Sequence, residues 1–335
     1  DSSKYDWTGL VPFEELPFEF NPERGYVSSA NNKTVPDDYP YYISHWFATS
    51  DRIDRIREML EQKQLLGIEN FEAMHRDIKA KKAEQMTPVF VAAIKTRTDL
   101  TNTEKEALKK LEEWNFELTR ESVAASLFEI LYRKVCENLV KDDLSPELFT
   151  ALKGQRWLLE NLMMNIQSEK SSGWIDDKNT PEPETFDDIV IRSFKETLAD
   201  LTAELGGNTG LWTWGKIHTF TIKHPLGNVN ILNKAFNLNK GPFEVPGSYH
   251  TVSPYSYSYN NLYNVNHGAS HRHIFDVSNW DASKTIIPTG TSGIPASDFY
   301  LDQTEMYLNN QYHADPFSKT EVEKAAKFRM KLLPK

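Results

Sequence analysis

From Thr49 to Leu205 the apolar positions recur every three or four residues, a spacing that predicts a long helical block. Ile53, Ile56 and Leu60 share one helix face, and Ile68, Phe71, Met74 and Ile78 share another. Thr103 and Glu106 have the spacing of a capping box, with Leu108, Leu111 and Trp114 following on one stripe. Ser145 before Pro146 reads as an N-cap with proline at the first helical position, where no N–H is missed. A further helix from about Phe186 carries Ile189, Leu198, Leu201 and Leu205, and Gly206-Gly207 suits a left-handed cap at its end. Ser168 to Glu184, rich in Ser, Asp, Lys and Pro, reads as a surface loop.

Either side of this block the texture changes. Prolines at positions 12, 17, 22, 36 and 40 break any helix in residues 1–45, which read as loops and short extended pieces. After Gly210, His218 to Ile222, Arg272 to Val277 and Lys284 to Ile287 are β-prone. Thr320 to Leu333 reads as a closing helix, with Thr320 capping and Glu323 three residues on. Three segments follow: 1–45 loop or extended, 46–205 helical, and 206–335 β-rich with a C-terminal helix. Helices followed by strands indicate an α+β class and not alternating βαβ units.

The 335 residues hold 39% hydrophobic positions, with 8 Trp, 18 Phe and 14 Tyr, ample for a packed core. A net charge of -10 offers nothing to phosphate backbones or anionic lipid, so no nucleic acid or membrane partner is expected. Apolar runs such as Val89 to Ile94 fall far short of the roughly 18 residues a membrane span needs. Cys136 is the lone cysteine, which excludes an intrachain disulfide and leaves the redox compartment unread. The chain opens without a charged-then-apolar leader, which says nothing of export if residue 1 is an internal start.

Two motifs narrow the reading. Near the start stand Trp7-Thr8-Gly9-Leu10-Val11-Pro12-Phe13-Glu14-Glu15-Leu16-Pro17, Asn21-Pro22, and Gly25-Tyr26-Val27-Ser28-Ser29-Ala30-Asn31-Asn32. Near the end stand Gly290-Thr291-Ser292-Gly293-Ile294-Pro295-Ala296-Ser297 and Tyr300-Leu301-Asp302-Gln303. Together they resemble the back part of the β-chain of the penicillin acylase family, N-terminal-nucleophile amidohydrolases. The resemblance implies part of an αββα sandwich and amide hydrolysis through an acyl-enzyme. In that family a serine at the β-chain terminus is the nucleophile and its own α-amine the base, an amine that titrates near pH 7.7–8.0. This chain begins with Asp1, and Ser2 and Ser3 lack a free α-amine, so the expected nucleophile lies upstream.

Aligning Gly25-Tyr26 on the family pattern makes Asn31 the side-chain donor to the oxyanion, and Arg52 the arginine that orders it. Without the resemblance, Asn31-Asn32 is an ordinary turn and Arg52 a solvated charge beside Arg55 and Arg57. Arg52 cannot serve as a base at neutral pH. Trp212-Thr213-Trp214-Gly215 with His218 looks like a family segment and reads as strand packing, with His218 a satisfied core group. The five tyrosines between Tyr249 and Tyr263 suit a pocket lining and a core equally.

The resemblance also raises cofactors and partners. His267, His271 and His273 invite a zinc reading, but no cysteine accompanies them. Several family members hold a structural calcium through an aspartate after a segment like Asp38-Tyr39-Pro40. Here Tyr41, Tyr42 and Ile43 follow, without the carboxylate, which argues against calcium. No cofactor is expected. The expected partners are a small-molecule acyl-amide substrate and the rest of the same precursor, its α-chain and the front of its β-chain. A periplasmic or secreted location follows from the resemblance alone. The competing expectation is a non-catalytic binding or interaction domain built on the same fold; a zinc hydrolase is the third.

Overall fold

The computed structural model describes residues 9–44, 46–62, 65–169 and 172–334. Asp1, Ser2, Ser3 and the Trp7-Thr8 end of the first motif lie outside them. The helical block is present as α1 (Asp51–Glu61), α2 (Ile68–His75), α3 (Lys81–Lys95), α4 (Asn102–Glu112), α5 (Val123–Asn138), α6 (Pro146–Lys153), α7 (Arg156–Glu169) and α8 (Phe186–Leu205). There follow α9 (Trp214–Ile217), β1 (Thr219–Ile222), α10 (Asn230–Phe236), β2 (Lys240–Glu244), β3 (Tyr255–Ser256), β4 (Asn264–Val265) and β5 (His267–Gly268). The chain closes with β6 (Arg272–Ile274), β7 (Lys284–Ile286), α11 (Thr304–Leu308), β8 (His313–Ala314) and α12 (Lys319–Ala325).

Helix α5 is the centre of the core. Its run Ala124 to Arg133 is buried without interruption, because α4, α7, α8 and α9 cover it from different sides. Phe90, Phe128 and Tyr132 pack with ring centroids 5.6 to 6.4 Å apart. Cys136 is buried on the same helix, and burial holds its thiol well above the usual pKa. The strands form small sheets in the orders β2-β1-β4, β3-β5 and β6-β7-β8; β1 runs parallel to β4, and the other pairs are antiparallel. Trp212 and Trp214 are buried, and the Trp214 indole donates to the Gly247 carbonyl at 2.9 Å. His218 stacks on Trp214 with centroids 4.4 Å apart, and its Nδ1 lies 2.9 Å from the Tyr263 carbonyl. Burial lowers its pKa to about 4, so the ring is neutral and Nδ1 carries the donated proton.

Several boundaries differ from the sequence expectation. The capping box of α4 is Thr101 with Glu104, two residues earlier than Thr103 with Glu106. Both pairs have the spacing, and the earlier one starts the helix two residues sooner while Leu108 and Leu111 still face inward. Helix α2 stops at His75, and Ile78 instead accepts the Leu118 N–H through its carbonyl at 3.0 Å. The Trp214–Ile217 piece is a short helix, not a strand. Helix α12 is capped by Ser318 with Glu321 next to bond, not by Thr320, and ends at Ala325. Beyond it Phe328, Met330, Leu332 and Leu333 are exposed, with no apolar face to stabilise further turns. Ser145 does cap α6 before Pro146, and Gly206 ends α8 at φ +82.

The second motif is a folded loop closed by Gly290 N–H to the Tyr300 carbonyl at 2.8 Å and Ser292 N–H to the Phe299 carbonyl at 3.0 Å. A Cβ on residue 290 would sit 1.9 Å from that Phe299 oxygen, so only glycine fits there. At the other end, Leu10, Phe13, Phe18 and Phe20 are exposed, matching the bare side chains after α12. Surface of this kind invites association. The isolated chain is expected to enhance the fluorescence of a hydrophobic dye and to self-associate in light scattering. A dye-silent monomer would show that these side chains find cover within the chain.

Candidate active site

Asn31 and Arg52 are brought together from segments twenty-one residues apart. Arg52 is the second residue of α1, and its Nη2 donates to the Ala30 carbonyl at 2.8 Å and to Asn31 Oδ1 at 2.9 Å. The Ala48 N–H donates to the Asn31 carbonyl at 2.9 Å, and Asn32 and Ala48 form a parallel bridge. Asn31 is held at φ +63, a conformation that asparagine tolerates better than other side-chain-bearing residues. A guanidinium can only donate, so the bond from Arg52 fixes which end of the Asn31 amide is oxygen. The Nδ2 donors are thereby left over, with no partner among the described residues. Burial and then the charge of Arg156 lower the Arg52 pKa from its usual value.

Asn32 is used differently. Its Oδ1 accepts the Ala30 N–H at 3.0 Å and its Nδ2 donates to the Lys33 carbonyl at 2.8 Å. Both ends of the amide are consumed in closing the turn, so Asn32 shapes the loop while Asn31 keeps a donor unused among the described residues. The start of α1 is anchored by Asp51, which accepts from Thr49 Oγ1 at 2.5 Å and pairs with the buried Lys82 of α3 at 3.3 Å.

Asn31 and Arg52 open onto a cavity of about 370 Å³. It is also lined by Arg156, Trp157 and Glu160 of α7, Tyr249 and Tyr257, and the β3 and β5 residues Ser256, His267 and Gly268. The tyrosine segment therefore serves both purposes: Tyr249 and Tyr257 line the cavity while being buried, and Tyr259 is core. The Arg156 guanidinium lies 3.8 Å above the Tyr249 ring centroid, with Nε 3.1 Å from Glu160 Oε1.

Sequence reasoning missed what lies behind this wall. His250 Nδ1 is 3.6 Å from Glu129 Oε1, and its Nε2 is 3.5 Å from Glu160 Oε2. Tyr257 donates to Glu129 Oε2 at 2.7 Å. Burial works against the His250 charge, but the two carboxylates outweigh it and push the pKa up to about 9. Burial also works to raise Glu129, and the adjacent His250 charge with the Tyr257 hydrogen bond reverses this, leaving it below the usual carboxylate value. One signal was available: Glu129 is the single charge in the largely apolar run Ala124 to Tyr132.

The other candidates do not converge. His267 lines the cavity, His271 Nε2 lies 2.7 Å from Thr285 Oγ1, and His273 Nε2 lies 2.9 Å from Asp315. Among the described residues no three His, Cys, Asp or Glu side chains gather as a metal site requires. The Tyr41 hydroxyl donates to Glu15 at 2.6 Å, and Asp38 is exposed.

The frame that carries this pair is α+β, a helical block ahead of small sheets. The chain belongs to the penicillin amidase family, whose pattern it matches over residues 1–324. It is 26% identical over 355 aligned positions to the acyl-homoserine lactone acylase QuiP of Pseudomonas syringae pv. tomato, covering 99% of this chain and 42% of that protein. It is 26% identical to the penicillin acylase 2 proenzyme of Pseudomonas sp. (strain SE83), covering 90% of this chain and 38% of the relative. The chain thus spans less than half the length of these curated relatives. Its fold is similar to that of a thermostable penicillin G acylase from Alcaligenes faecalis, with a TM-score of 0.62 at 14% identity, over 98% of this chain and 60% of the other.

The buried cluster generates a pH dependence. His250 has a folded pKa of about 9, above the roughly 6.5 of a free imidazole, so its contribution is complete below about pH 6.5 and is lost as pH rises through 9. Glu129, with its folded pKa depressed, contributes above its unfolded value and loses that contribution in acid. Urea unfolding between pH 6.5 and 9 should lose stability at up to about 1.4 kcal/mol per pH unit for this one proton. His250→Gln should flatten that slope; an unchanged slope in the variant would assign it to other groups.

Proposed function

We propose that this chain is the C-terminal portion of a penicillin-acylase-like amidohydrolase, in which it stabilises the oxyanion and lines part of the substrate cavity. The observation that supports the reading most is Asn31, whose amide is oriented by Arg52 and whose Nδ2 has no other described partner beside a cavity. In this reading a serine from a part of the protein preceding this chain attacks the substrate's carbonyl carbon, its proton passing to its own α-amine. The carbonyl oxygen takes up negative charge and receives a hydrogen bond from Asn31 Nδ2. The intermediate then collapses, the C–N bond breaks, and the leaving amine takes the proton. Water hydrolyses the acyl-serine by the same steps. Arg52 keeps its proton throughout and acts as a positioning residue.

Relatives named for acyl-homoserine lactones and for penicillin support an acyl-amide substrate. The remaining precursor chains are the proposed partners, and no cofactor enters the reaction. The bare apolar side chains at both ends of this chain fit such partners. The chain alone, incubated with acyl-amide chromogens, should release no product; turnover surviving repurification would place the nucleophile within it.

In the complete processed protein, Asn31→Ala should lower kcat about 100-fold or more and leave KM nearly unchanged, because the donor acts mainly in the transition state. Activity is to be normalised to processed protein. Asn32→Ala should lower stability more than kcat, since both its bonds close a turn. A silent Asn31→Ala in an active enzyme would refute the oxyanion role. No hydrolysis by the intact protein would favour the non-catalytic binding domain.

A further inference from the structure

From the cavity wall inward runs a row of four charged groups that the proposed reaction does not use. Glu129 is 0% exposed, His250 2% and Glu160 1%, so three of the four are shut off from water. The imidazole is the middle member, with one carboxylate facing each ring nitrogen at 3.6 and 3.5 Å. Glu160 continues the row to Arg156, whose Nε is 3.1 Å away and whose Nη1 donates to the Tyr257 carbonyl at 3.2 Å. Carboxylate, imidazole, carboxylate and guanidinium thus run in sequence from the core to the cavity that Asn31 and Arg52 also line. The charges alternate, and they sum to zero only when the imidazole is protonated.

We infer that His250 is a positioning residue, which through Glu160 sets the place of Arg156 on the inner wall of the substrate cavity. The inference rests on reading that cavity as the acyl-amide site. Glu160 is shared between His250 on one side and Arg156 on the other. With the imidazolium present, Glu160 is divided between two cations and Arg156 stays over Tyr249, facing the cavity. Without it, two buried carboxylates are left with one guanidinium, and either a carboxylate takes up a proton or Arg156 is drawn inward. Each outcome changes the shape and charge of the cavity that Arg156 shares with Asn31 and Arg52.

The groups around the ring leave the switch to His250. From α5 it faces Glu129 and Tyr132, from α7 Glu160, and from its own segment Tyr249, while Arg156 and Tyr257 pair with the two carboxylates. Tyr132, Tyr249, Tyr257 and the adjacent Tyr259 are held protonated by burial, and Arg156 is kept charged by Glu160 against the opposing effect of burial. The nearby Lys82–Asp51 pair is internally balanced.

The test compares His250→Gln with the double variant Glu129→Gln plus His250→Gln. The single change strands one negative charge; the double change leaves a balanced Glu160–Arg156 pair. In the processed enzyme the single variant should raise KM about tenfold with kcat within about threefold, and the double variant should recover most of that loss. Wild-type KM should rise with pH through about 9, and the single variant should show no such rise. If His250 only fills space, the double variant will be no better than the single one, which overturns the inference. If the single variant does not fold, the double variant carries the comparison with wild type: near-normal KM supports charge balance, and a tenfold rise overturns it.

A readout independent of hydrolysis is the nitrogen-15 spectrum of the histidine rings and of the Arg156 Nε–H in this chain. A protonated His250 at pH 7.5, with an exchange-protected Arg156 signal that is lost in His250→Gln, supports the inference; a neutral ring overturns it. Should the processed protein hydrolyse no amide while these signals behave as expected, the functional reading fails and the clamp stands.

Discussion

A carboxylate in the middle of a helix that is covered on several sides constrains everything packed against it. Glu129 occupies that place in α5, fully buried, and cannot remain charged without a cation and hydrogen-bond donors at hand. His250 and the Tyr257 hydroxyl supply them, from a segment more than a hundred residues later. That requirement fixes the tyrosine segment over α5, and the second carboxylate on His250 fixes α7 against both. The cavity wall is the outer surface of this arrangement. Its geometry is therefore set by charge balance in the core as much as by the shapes of the rings that line it.

The part of the cavity lined by Asn31 and Arg52 follows from a simpler rule. Arginine has donors only, so an asparagine that accepts from Arg52 must turn its nitrogen elsewhere. The loop carrying Asn31 is tied to Ala48, and Ala48 stands three residues before α1. Arg52 bonds back to Ala30 and Asn31, so loop and helix hold each other in one small ring of contacts. The Asp51–Lys82 pair joins that ring to α3, and through α3 to the core. An exposed asparagine in a left-handed turn thereby acquires a fixed direction without being buried itself.

Much of this was legible in the sequence, but unevenly. Local rules located the helices because apolar spacing and caps such as Ser145-Pro146 act within a few residues. They misplaced the α4 cap because two overlapping Thr-x-x-Glu pairs are indistinguishable without knowing which turn packs. They overextended the closing helix because Met330, Leu332 and Leu333 have helical composition but no surface to meet. The nearness of Asn31 and Arg52 came from motif resemblance, since twenty-one positions of loop and helix carry no periodic signal of contact. The Glu129–His250–Glu160 row left almost no trace, because it joins three segments whose register depends on the whole fold. Glu129 interrupting an apolar run was the one visible mark.

The burial of Cys136 has a consequence of a different kind. Its thiol sits on α5 at 1% exposure, and burial keeps it protonated, so it is a poor nucleophile while the helix is in place. Being the lone cysteine, it has no disulfide to form within the chain. Its reactivity toward an alkylating reagent therefore reports a single event, the release of α5 from its neighbours. The chain carries its own chemical timer for core opening, and the same helix that holds Glu129 sets its rate.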